Sequence, residues 1–261
     1  MSGIVALLSD FGLQDVYVGV MKATIAQINP QLTTIDLTHD IPPQNIAAGR
    51  FCLLNAYTYL PSQTVCIAVV DPGVGSDRRG VAVQIGDRYF VVPDNGLLSG
   101  ILQQEAAIAA VQLDNPQYWR TTSPSSTFHG RDIFAPVGAH LANGIPLAAV
   151  GTAIDPQSLV CLQLPPVQCA GAEIRGCIQY IDRFGNLISN IPASSVAGKS
   201  WAVRWEGGEI FAGLTYSDRP KGELIALVGS HGWVEIAVNG GNAGDRLGWD
   251  YGFRVLVICG E

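Results

Sequence analysis

The sequence of 261 residues is low in charge and contains no long apolar run. Charged residues make up 14% of the chain, and no apolar stretch reaches the ~18 residues that a membrane-spanning helix needs. The formal net charge is −7 and no basic cluster is present, so neither nucleic acid nor a membrane is an expected partner. The N-terminus, Met1-Ser2-Gly3-Ile4, has no basic start and no cleavage site, so no secretory signal is expected.

Motifs for the common cofactors and metals are also lacking. No G-x-G-x-x-G follows a strand pattern and no G-x-x-x-x-G-K-[ST] occurs, which argues against a dinucleotide-binding motif and a P-loop. The six cysteines form no pair of C-x-x-C motifs, and no H-x-x-x-H or H-E-x-x-H spacing supports zinc. We therefore expect no zinc site, and buried free thiols in a cytoplasmic protein.

The first 165 residues alternate strand and helix patterns. Short apolar runs that end at turn residues predict strands, and apolar residues at helical spacing predict helices between them. This alternation predicts an α/β fold, with a Rossmann-like three-layer α/β/α domain over residues 1–165. The predicted elements are strands at 4–8, 34–37, 65–70 and 109–113, a hairpin over 81–92, and helices over 17–28, 46–60 and up to 141.

The pattern of apolar residues changes after a linker-like segment, Leu162-Gln163-Leu164-Pro165-Pro166. Short alternating runs separated by glycines follow, which is typical of a small antiparallel β-barrel over residues 166–261. The high apolar content, 48% of the chain, also predicts an oligomer, because a small monomer rarely hides so much apolar surface. The predicted barrel strands are 173–180, 187–191, 201–205, 224–228, 234–238 and 253–258.

A carboxylate follows the most apolar of the predicted strands. The run 65–70 delivers Asp71 directly before Pro72-Gly73, and Arg78 and Arg79 follow within one loop. In open α/β sheets, ligands bind outside the carboxyl ends of the strands, so Asp71 beside an arginine is a candidate for chemistry. The alternative is a turn aspartate that pairs with a surface arginine.

Other polar residues follow the neighbouring predicted strands. Asp10 and the trio Thr38-His39-Asp40 come at strand ends, and with Asp71 they would share one edge of the sheet if the strands are neighbours. Each alone is a common cap or turn residue. His129 lies in a loop before a predicted helix and can orient or deprotonate water, since imidazole titrates near neutrality. His39 is a candidate for tying strands together, and His140 for packing within a helix.

The predicted barrel domain offers two polar turns. Asp182 and Asn186 bracket a tight turn, where both residue types are common for local hydrogen bonds. The functional alternative is a carboxylate and an amide that face the polar groups of a ligand. Ser230 lies in a second turn, and Glu235 follows it on an alternating strand.

Seven short motifs occur along the chain in a fixed order, and together they indicate a protein family that no single motif would identify. The whole chain resembles the adenosyl-forming S-adenosylmethionine hydrolases, also called SAM hydroxide adenosyltransferases, whose superfamily includes bacterial fluorinase and chlorinase. The motifs are Ser9-Asp10-Phe11-Gly12, Thr38-His39-Asp40-Ile41-Pro42, Val70-Asp71-Pro72-Gly73-Val74-Gly75, Pro93-Asp94-Asn95-Gly96, Thr127-Phe128-His129-Gly130-Arg131-Asp132, Asp182-Arg183-Phe184-Gly185-Asn186 and Gly229-Ser230-His231-Gly232.

The resemblance implies hydrolysis of S-adenosyl-L-methionine (SAM) to adenosine and L-methionine, by attack of water or hydroxide on C5′ of the ribose. The family's catalytic set falls on Asp71, Arg78 and His129, and the adjacent Arg79 stays open as an alternative to Arg78. The halogenating relatives lack the complete set, which favours water over halide as the nucleophile. Two alternatives are a SAM-dependent halogenase and a non-catalytic adenosine or SAM sensor.

The resemblance also implies the substrate contacts and the assembly. It implies a homotrimer, with each site between the N-terminal domain of one subunit and the C-terminal domain of the next. It places the ribose hydroxyls at Asp10, and the methionine amino and carboxylate groups at Asp182 and Ser230. The remaining implied binding residues are Asp15 and Tyr17 near the ribose, Phe128 against the ligand, Asn186 at the adenine edge, Tyr216 stacked on adenine, and Glu235 with Val238 around the base.

Overall fold

The computed structural model describes residues 3–260. The chain divides into two compact units, Met1–Leu162 and Gln163–Glu261. Each unit has its own β-sheet and its own apolar core. Across residues 3–260, none of the helices has both the length and the apolar character to cross a membrane.

The N-terminal unit is built on a seven-stranded mixed sheet with the order β2-β1-β3-β5-β4-β6-β7. The first four strands in this order run parallel, and each of the last three pairs antiparallel with the strand before it. The elements are β1 (Ile4–Ser9), α1 (Tyr17–Ile28), β2 (Thr33–Thr38), α2 (Ile46–Ala56), β3 (Val65–Val69), β4 (Gly80–Ile85), β5 (Arg88–Pro93), α3 (Ser99–Leu102), β6 (Ala107–Gln112), α4 (Ala135–Ala142) and β7 (Thr152–Ile154).

Helices cover both faces of this sheet. Successive residues of β3 point to opposite faces, and all five are buried, which explains their continuous apolar character. Gly138 of α4 lies against Ile67 on one face, where α1 also joins the core. Gly49 of α2 lies against Val70 on the other face. The predicted α/β fold with three layers is therefore confirmed.

The polar strand ends meet at one edge of the sheet, as the sequence predicts. β1 is the central strand of three, with β2 and β3 as its parallel neighbours. Parallel strands end on the same side, so Asp10, the 38–40 trio and Asp71 all follow strands at this edge. The edge is the carboxyl side at which ligands bind in open α/β sheets.

The C-terminal unit is an antiparallel, barrel-like sheet with the order β12-β11-β15-β9-β10-β14-β13, and β8 pairs with β9. An isolated bridge between Ala212 and Ala226 links the two ends of this order, so the sheet is nearly closed and the predicted barrel is confirmed. The elements are β8 (Gln168–Ala170), β9 (Glu173–Ile181), β10 (Leu187–Pro192), α5 (Ala193–Val196), β11 (Trp201–Trp205), β12 (Gly208–Phe211), β13 (Leu224–Val228), β14 (Trp233–Val238), α6 (Ala243–Leu247) and β15 (Arg254–Cys259).

Several details differ from the sequence prediction. The helix predicted over 46–60 ends as an α-helix at Ala56 and continues as a 3-10 turn, Tyr57–Tyr59. A π-helix, Gly130–Phe134, precedes α4. All six cysteines are free, but the expectation of burial is wrong for Cys161 and Cys169, which are exposed because they lie in the irregular segment and short strand around the linker.

Candidate active site

Asp71 and Arg78 form a buried ion pair at the carboxyl end of β3. Arg78 Nε donates to both carboxylate oxygens of Asp71, at 2.9 Å and 3.0 Å, and Nη2 also donates to Oδ2. The side chains are only 5% exposed for Asp71 and 11% for Arg78. A fork of this kind fixes both groups, because the planar guanidinium matches the plane of the carboxylate.

Arg78 also joins His129 to this pair. Its Nη2 donates to His129 Nδ1 at 2.9 Å. Because a guanidinium offers no acceptor, Nδ1 must be the unprotonated nitrogen, and the neutral ring carries its proton on Nε2. Burial lowers the pKa of His129, and the positive charge of Arg78 lowers it further. The structure therefore brings all three predicted catalytic residues together, with a neutral imidazole that presents an N–H donor.

Arg79 has a separate set of partners. It donates to Asp94 Oδ2 from Nε at 2.9 Å and from Nη2 at 2.5 Å, and to the Ser158 carbonyl oxygen at 2.6 Å. Asp94 Oδ1 in turn accepts from the backbone N–H of Val160. Arg79 thus holds the segment at 158–160, whereas Arg78 contacts Asp71 and His129.

The loop that carries Asp71 and Arg78 packs against the loop that precedes His129. A Cβ atom at Gly75 would lie 2.3 Å from the carbonyl oxygen of Ser126, so only glycine permits this approach. The backbone of Gly75 also has φ +79°, a region that favours glycine. The V-G-S-D-R segment therefore lets two distant parts of the chain meet.

Asp132 anchors the segment that presents His129. Its carboxylate is 0% exposed and accepts from Arg120 Nε at 2.5 Å, Arg131 Nη2 at 2.7 Å and the Ser125 backbone N–H at 2.9 Å. The hydrogen bond from Arg131 is the largest cause of a pKa far below the usual range, and it outweighs burial. The sequence prediction assigned no role to Asp132. The adjacent arginine in H-G-R-D was the only local signal.

An aromatic cluster lies beside His129. Phe128 makes edge contacts with Tyr17, at 5.2 Å between ring centroids, and with Phe11, at 5.8 Å. The guanidinium carbon of Arg131 lies over the Phe128 ring, 5.1 Å from its centroid. Asp10 Oδ2 accepts from the backbone N–H of Gln44 at 2.7 Å. The structure thus gathers Phe128 and Tyr17, while Asp15 is an exposed side chain just before α1.

In the C-terminal unit, Asp182 organises the turn that Asn186 closes. Asp182 Oδ1 accepts from the backbone N–H groups of Phe184 and Asn186, both at 2.9 Å, and Oδ2 accepts from Asn186 Nδ2 at 3.0 Å. The turn role that the sequence suggested is therefore present. One face of this turn also belongs to a cavity.

That cavity has a volume of about 430 Å³, and its wall contains three of the predicted binding residues, Asn186, Tyr216 and Val238. Phe184 also lines it, with Asn239, Gly240 and Gly241. Aromatic and aliphatic walls with two side-chain amides, those of Asn186 and Asn239, suit a flat, mostly apolar ring with a polar edge. Ser230 is exposed, in the turn before β14.

Glu235 holds two neighbouring side chains. Its Oε1 accepts from Tyr216 Oη at 2.8 Å, and its Oε2 lies 3.0 Å from His231 Nε2. His231 Nδ1 accepts from the backbone N–H of Trp233, so Nε2 carries the proton and donates to Glu235. Burial and then the hydrogen bond to Glu235 raise the pKa of Tyr216 to about 12. Tyr216 is therefore a neutral phenol with a fixed ring at the cavity wall.

Within the part of the chain that the structure describes, no three or more His, Cys, Asp or Glu side chains are arranged to hold a metal ion.

Both units match models of one protein family. The model described as the SAM hydroxide adenosyltransferase N-terminal domain matches residues 5–151, and the model described as its C-terminal domain matches residues 176–256. The chain belongs to the SAM hydroxide adenosyltransferase family.

Several relatives are similar to the chain over nearly their full lengths. A protein named (R)-S-adenosyl-L-methionine hydrolase from Salinispora tropica is 40% identical, over 98% of both chains. One with the same name from Thermus thermophilus is 38% identical, over 97% of this chain and 99% of the relative. A protein named fluorinase from an Actinoplanes species is 26% identical, over 90% and 91%.

A solved structure has the same fold. An uncharacterized conserved protein from Thermotoga maritima superimposes with a TM-score of 0.90 at 36% identity, over 97% of this chain and 99% of that one.

Proposed function

We propose that this chain hydrolyses S-adenosyl-L-methionine to adenosine and L-methionine, with water attacking C5′ of the ribose. The observation that carries this proposal is the contact of Asp71 and His129 through the single guanidinium of Arg78. The hydrolase relatives at 38% to 40% identity support it over the halogenase alternative, whose fluorinase relative is 26% identical.

The three side chains have distinct parts in the proposed step. Arg78 fixes the Asp71 carboxylate and the His129 ring, and the Nε2–H of His129 donates to the oxygen of the attacking water. A lone pair of that oxygen forms the bond to C5′ while the C5′–S bond breaks. The bonding electron pair leaves with sulfur, so the sulfonium becomes neutral methionine thioether. The new 5′-oxygen then loses a proton, for which Asp71 is the anionic acceptor of this cluster.

The two units supply the proposed substrate contacts. In the N-terminal unit, Asp10 binds the ribose hydroxyls with Asp15 and Tyr17 nearby, and Phe128 packs against the ligand. In the C-terminal unit, the cavity takes the adenine ring. There Asn186 contacts the adenine edge, Tyr216 stacks on the ring, and Val238 with Glu235 surrounds the base. Asp182 and Ser230 bind the methionine amino and carboxylate groups.

The proposed assembly is a homotrimer in the cytoplasm, in which each site combines the N-terminal unit of one subunit with the C-terminal unit of the next. Exposed apolar side chains on each unit support an assembly. Leu13 is 69% exposed and Val16 72% in the N-terminal unit, and Leu214 is 95% exposed in the C-terminal unit. No cofactor is part of the proposal, because a sulfonium is already an activated leaving group.

Product analysis separates the proposed function from its alternatives. The purified chain is incubated with SAM in buffer that contains chloride, and the nucleoside and amino acid products are identified by mass spectrometry. Adenosine with methionine is the expected pair. A 5′-chloro-5′-deoxyadenosine product would identify a halogenase, and SAM binding without methionine release would identify a sensor.

Adjacent arginines provide a matched test of the catalytic set. Arg78→Gln removes the contact to both Asp71 and His129, and kcat should fall at least ~100-fold, the usual effect of losing a group that orients or stabilises the reacting atoms. Arg79→Gln removes an equal charge one residue away, where the partners are Asp94 and Ser158. Its kcat should stay within about fivefold of wild type. Equal losses in the two variants would contradict the assigned role of Arg78.

A further inference from the structure

A hydrogen-bonded chain that is buried at Ser9 and His39 runs behind Asp10 and plays no part in the proposed chemistry. Ser9 Oγ lies 2.7 Å from His39 Nδ1, and His39 Nε2 lies 3.1 Å from Asp36 Oδ1. Asp36 Oδ2 accepts from Lys22 Nζ at 2.5 Å. Ser9 is 1% exposed and His39 is 4% exposed. The order Ser-His-Asp is that of a hydrolase triad, but a buried hydroxyl is closed to any substrate.

The protons in this chain have one consistent arrangement. Hydrogen bonds from Lys22 and His39 outweigh burial and keep the pKa of Asp36 below its usual value, so its carboxylate accepts from His39 Nε2–H. In the tautomer with its proton on Nε2, Nδ1 is the acceptor, and the Ser9 hydroxyl donates to it. The remaining capacity of Ser9 Oγ accepts from the backbone N–H of Phe11 at 3.3 Å.

His39 therefore holds the segment around Asp10 at two points. Its side chain fixes Ser9, whose hydroxyl binds the N–H of Phe11, and its own carbonyl oxygen accepts from the N–H of Gly12 at 2.8 Å. Gly12 has φ +66°, so the chain turns sharply there. Asp10 lies between the two points, and its carboxylate meets the backbone of Gln44.

We propose that His39 is a positioning residue that sets the Asp10 carboxylate for recognition of the ribose hydroxyls. The inference rests on the proposed function, because it takes Asp10 as the ribose contact. The contact is made before and during the reaction, so a displaced Asp10 weakens binding of the ground state and the transition state alike. The loss then falls on KM, with kcat nearly unchanged.

Two amide variants of His39 separate positioning from general packing. In His39→Asn, the short amide lies where Nδ1 was and retains the partner for Ser9. In His39→Gln, the longer amide reaches the place of Nε2 and retains only Asp36. His39→Gln and Ser9→Ala should raise KM for SAM at least ~10-fold with kcat within about threefold, whereas His39→Asn should stay within about threefold on both.

A second readout tests the ribose contact without catalysis. Dissociation constants for adenosine and 2′,3′-dideoxyadenosine are measured by calorimetry for the wild type and the three variants, after thermal melting has shown which are folded. The wild type and His39→Asn should prefer adenosine at least ~10-fold, and this preference should vanish in His39→Gln and Ser9→Ala.

The possible results distinguish a failure of the inference on His39 from a failure of the proposed hydrolysis. Unchanged KM and unchanged nucleoside preference in His39→Gln and Ser9→Ala would overturn the inference, and so would equal losses in all three variants, which indicate a packing role. A wild type that prefers adenosine but forms none from SAM would refute the proposed hydrolysis and leave the inference on His39 intact. A wild type that binds neither nucleoside would refute both.

Discussion

At the scale of single residues, the protonation state of His129 follows from one hydrogen bond. Arg78 donates to Nδ1, so a second ring proton would put two donors face to face and add a positive charge beside the guanidinium. Burial acts in the same direction on the pKa of His129. The imidazole is therefore neutral at pH 7, and acid converts it to a form that the site disfavours.

This gives a pH dependence for activity. The value of kcat should be flat near neutrality and fall as pH decreases, with a midpoint below the ordinary histidine pKa of 6.5, because the pKa of His129 is lowered. The measurement is kcat at saturating SAM over about pH 4.5 to 8. His129→Asn cannot take up the proton and should lack the inflection in its residual activity. A wild-type midpoint above the ordinary value would contradict the assigned tautomer.

The residue scale also shows what the sequence could not decide. Both Arg78 and Arg79 follow Asp71 at a plausible distance, and residue spacing does not distinguish them. Neighbouring side chains on an extended loop point in different directions, so the choice depends on where Asp71 and Asp94 lie in space. The carboxylate of Asp132 also went unassigned, since two of its three partners, Arg120 and Ser125, are twelve and seven residues away.

At the scale of elements, α4 lies close to the buried strand β3. A Cβ atom at Gly138 would lie 2.5 Å from Ile67 Cδ1 and 2.6 Å from Cγ1. A Cβ atom at Gly19 of α1 would meet no atom within 4 Å, and Gly19 is exposed. The two helical glycines differ in their surroundings, although both gain helix propensity on substitution by alanine.

The two alanine substitutions should change the free energy of unfolding in opposite directions. Gly138→Ala forces Ile67 or the helix to move, which should lower the free energy of unfolding by about 1–2 kcal/mol after the gain in propensity. Gly19→Ala should raise it by about 0.5–1 kcal/mol. Denaturant unfolding of the two variants and the wild type measures both. A stabilised Gly138→Ala variant would show that α4 approaches β3 less closely than described.

The sequence predicted elements well where apolar pattern and turn residues agree. Helix α1 and strands β11 and β13 have the predicted bounds, and each is followed by a polar residue or a glycine, namely Asn29, Glu206 and Gly229. Strands β7, β8 and β12 were not predicted, since they are only three or four residues long and mostly exposed. The π-helix before α4 differs from an α-helix by one residue in its hydrogen bonds, a shift that the apolar pattern does not record.

At the scale of the whole molecule, the proposed catalytic and adenine-binding residues lie on different units. Asp71 belongs to the N-terminal unit, and Tyr216 to the C-terminal unit. Each unit has its own core, so a substitution in one half-site leaves the other half-site folded. The proposed trimer combines the halves of different subunits, and this arrangement has a consequence for mixtures.

Mixed trimers should regain activity that neither parent has. Asp71→Asn and Tyr216→Ala subunits are each expected to be inactive alone. In a random one-to-one mixture, about a quarter of the composite sites join an intact N-terminal half to an intact C-terminal half, so activity should return to about a quarter of wild type. Co-expression with two tags and an adenosine assay measures this. No recovery in verified mixed trimers would place each site within one subunit.

The sequence predicted the architecture of both domains and offered Asp71, an arginine and His129 as separate candidates, but only the resemblance combined them into one site. Asp71 and Arg78 are seven residues apart and could be paired from one loop. His129 is 51 residues beyond Arg78, and nothing in its own neighbourhood indicates that partner. The glycine that lets the two loops touch, Gly75, has a meaning only when Ser126 is seen beside it.

The anchoring of the His129 segment has a consequence for exposure to acid. The carboxylate of Asp132 keeps its charge far below the pH at which the imidazole takes up its proton. The hydrogen bonds from Arg120, Arg131 and Ser125 to that carboxylate therefore stay formed when the imidazole becomes protonated. If His129 acts as proposed, mild acidification should stop turnover without unfolding the site, and a return to neutrality should restore it without refolding.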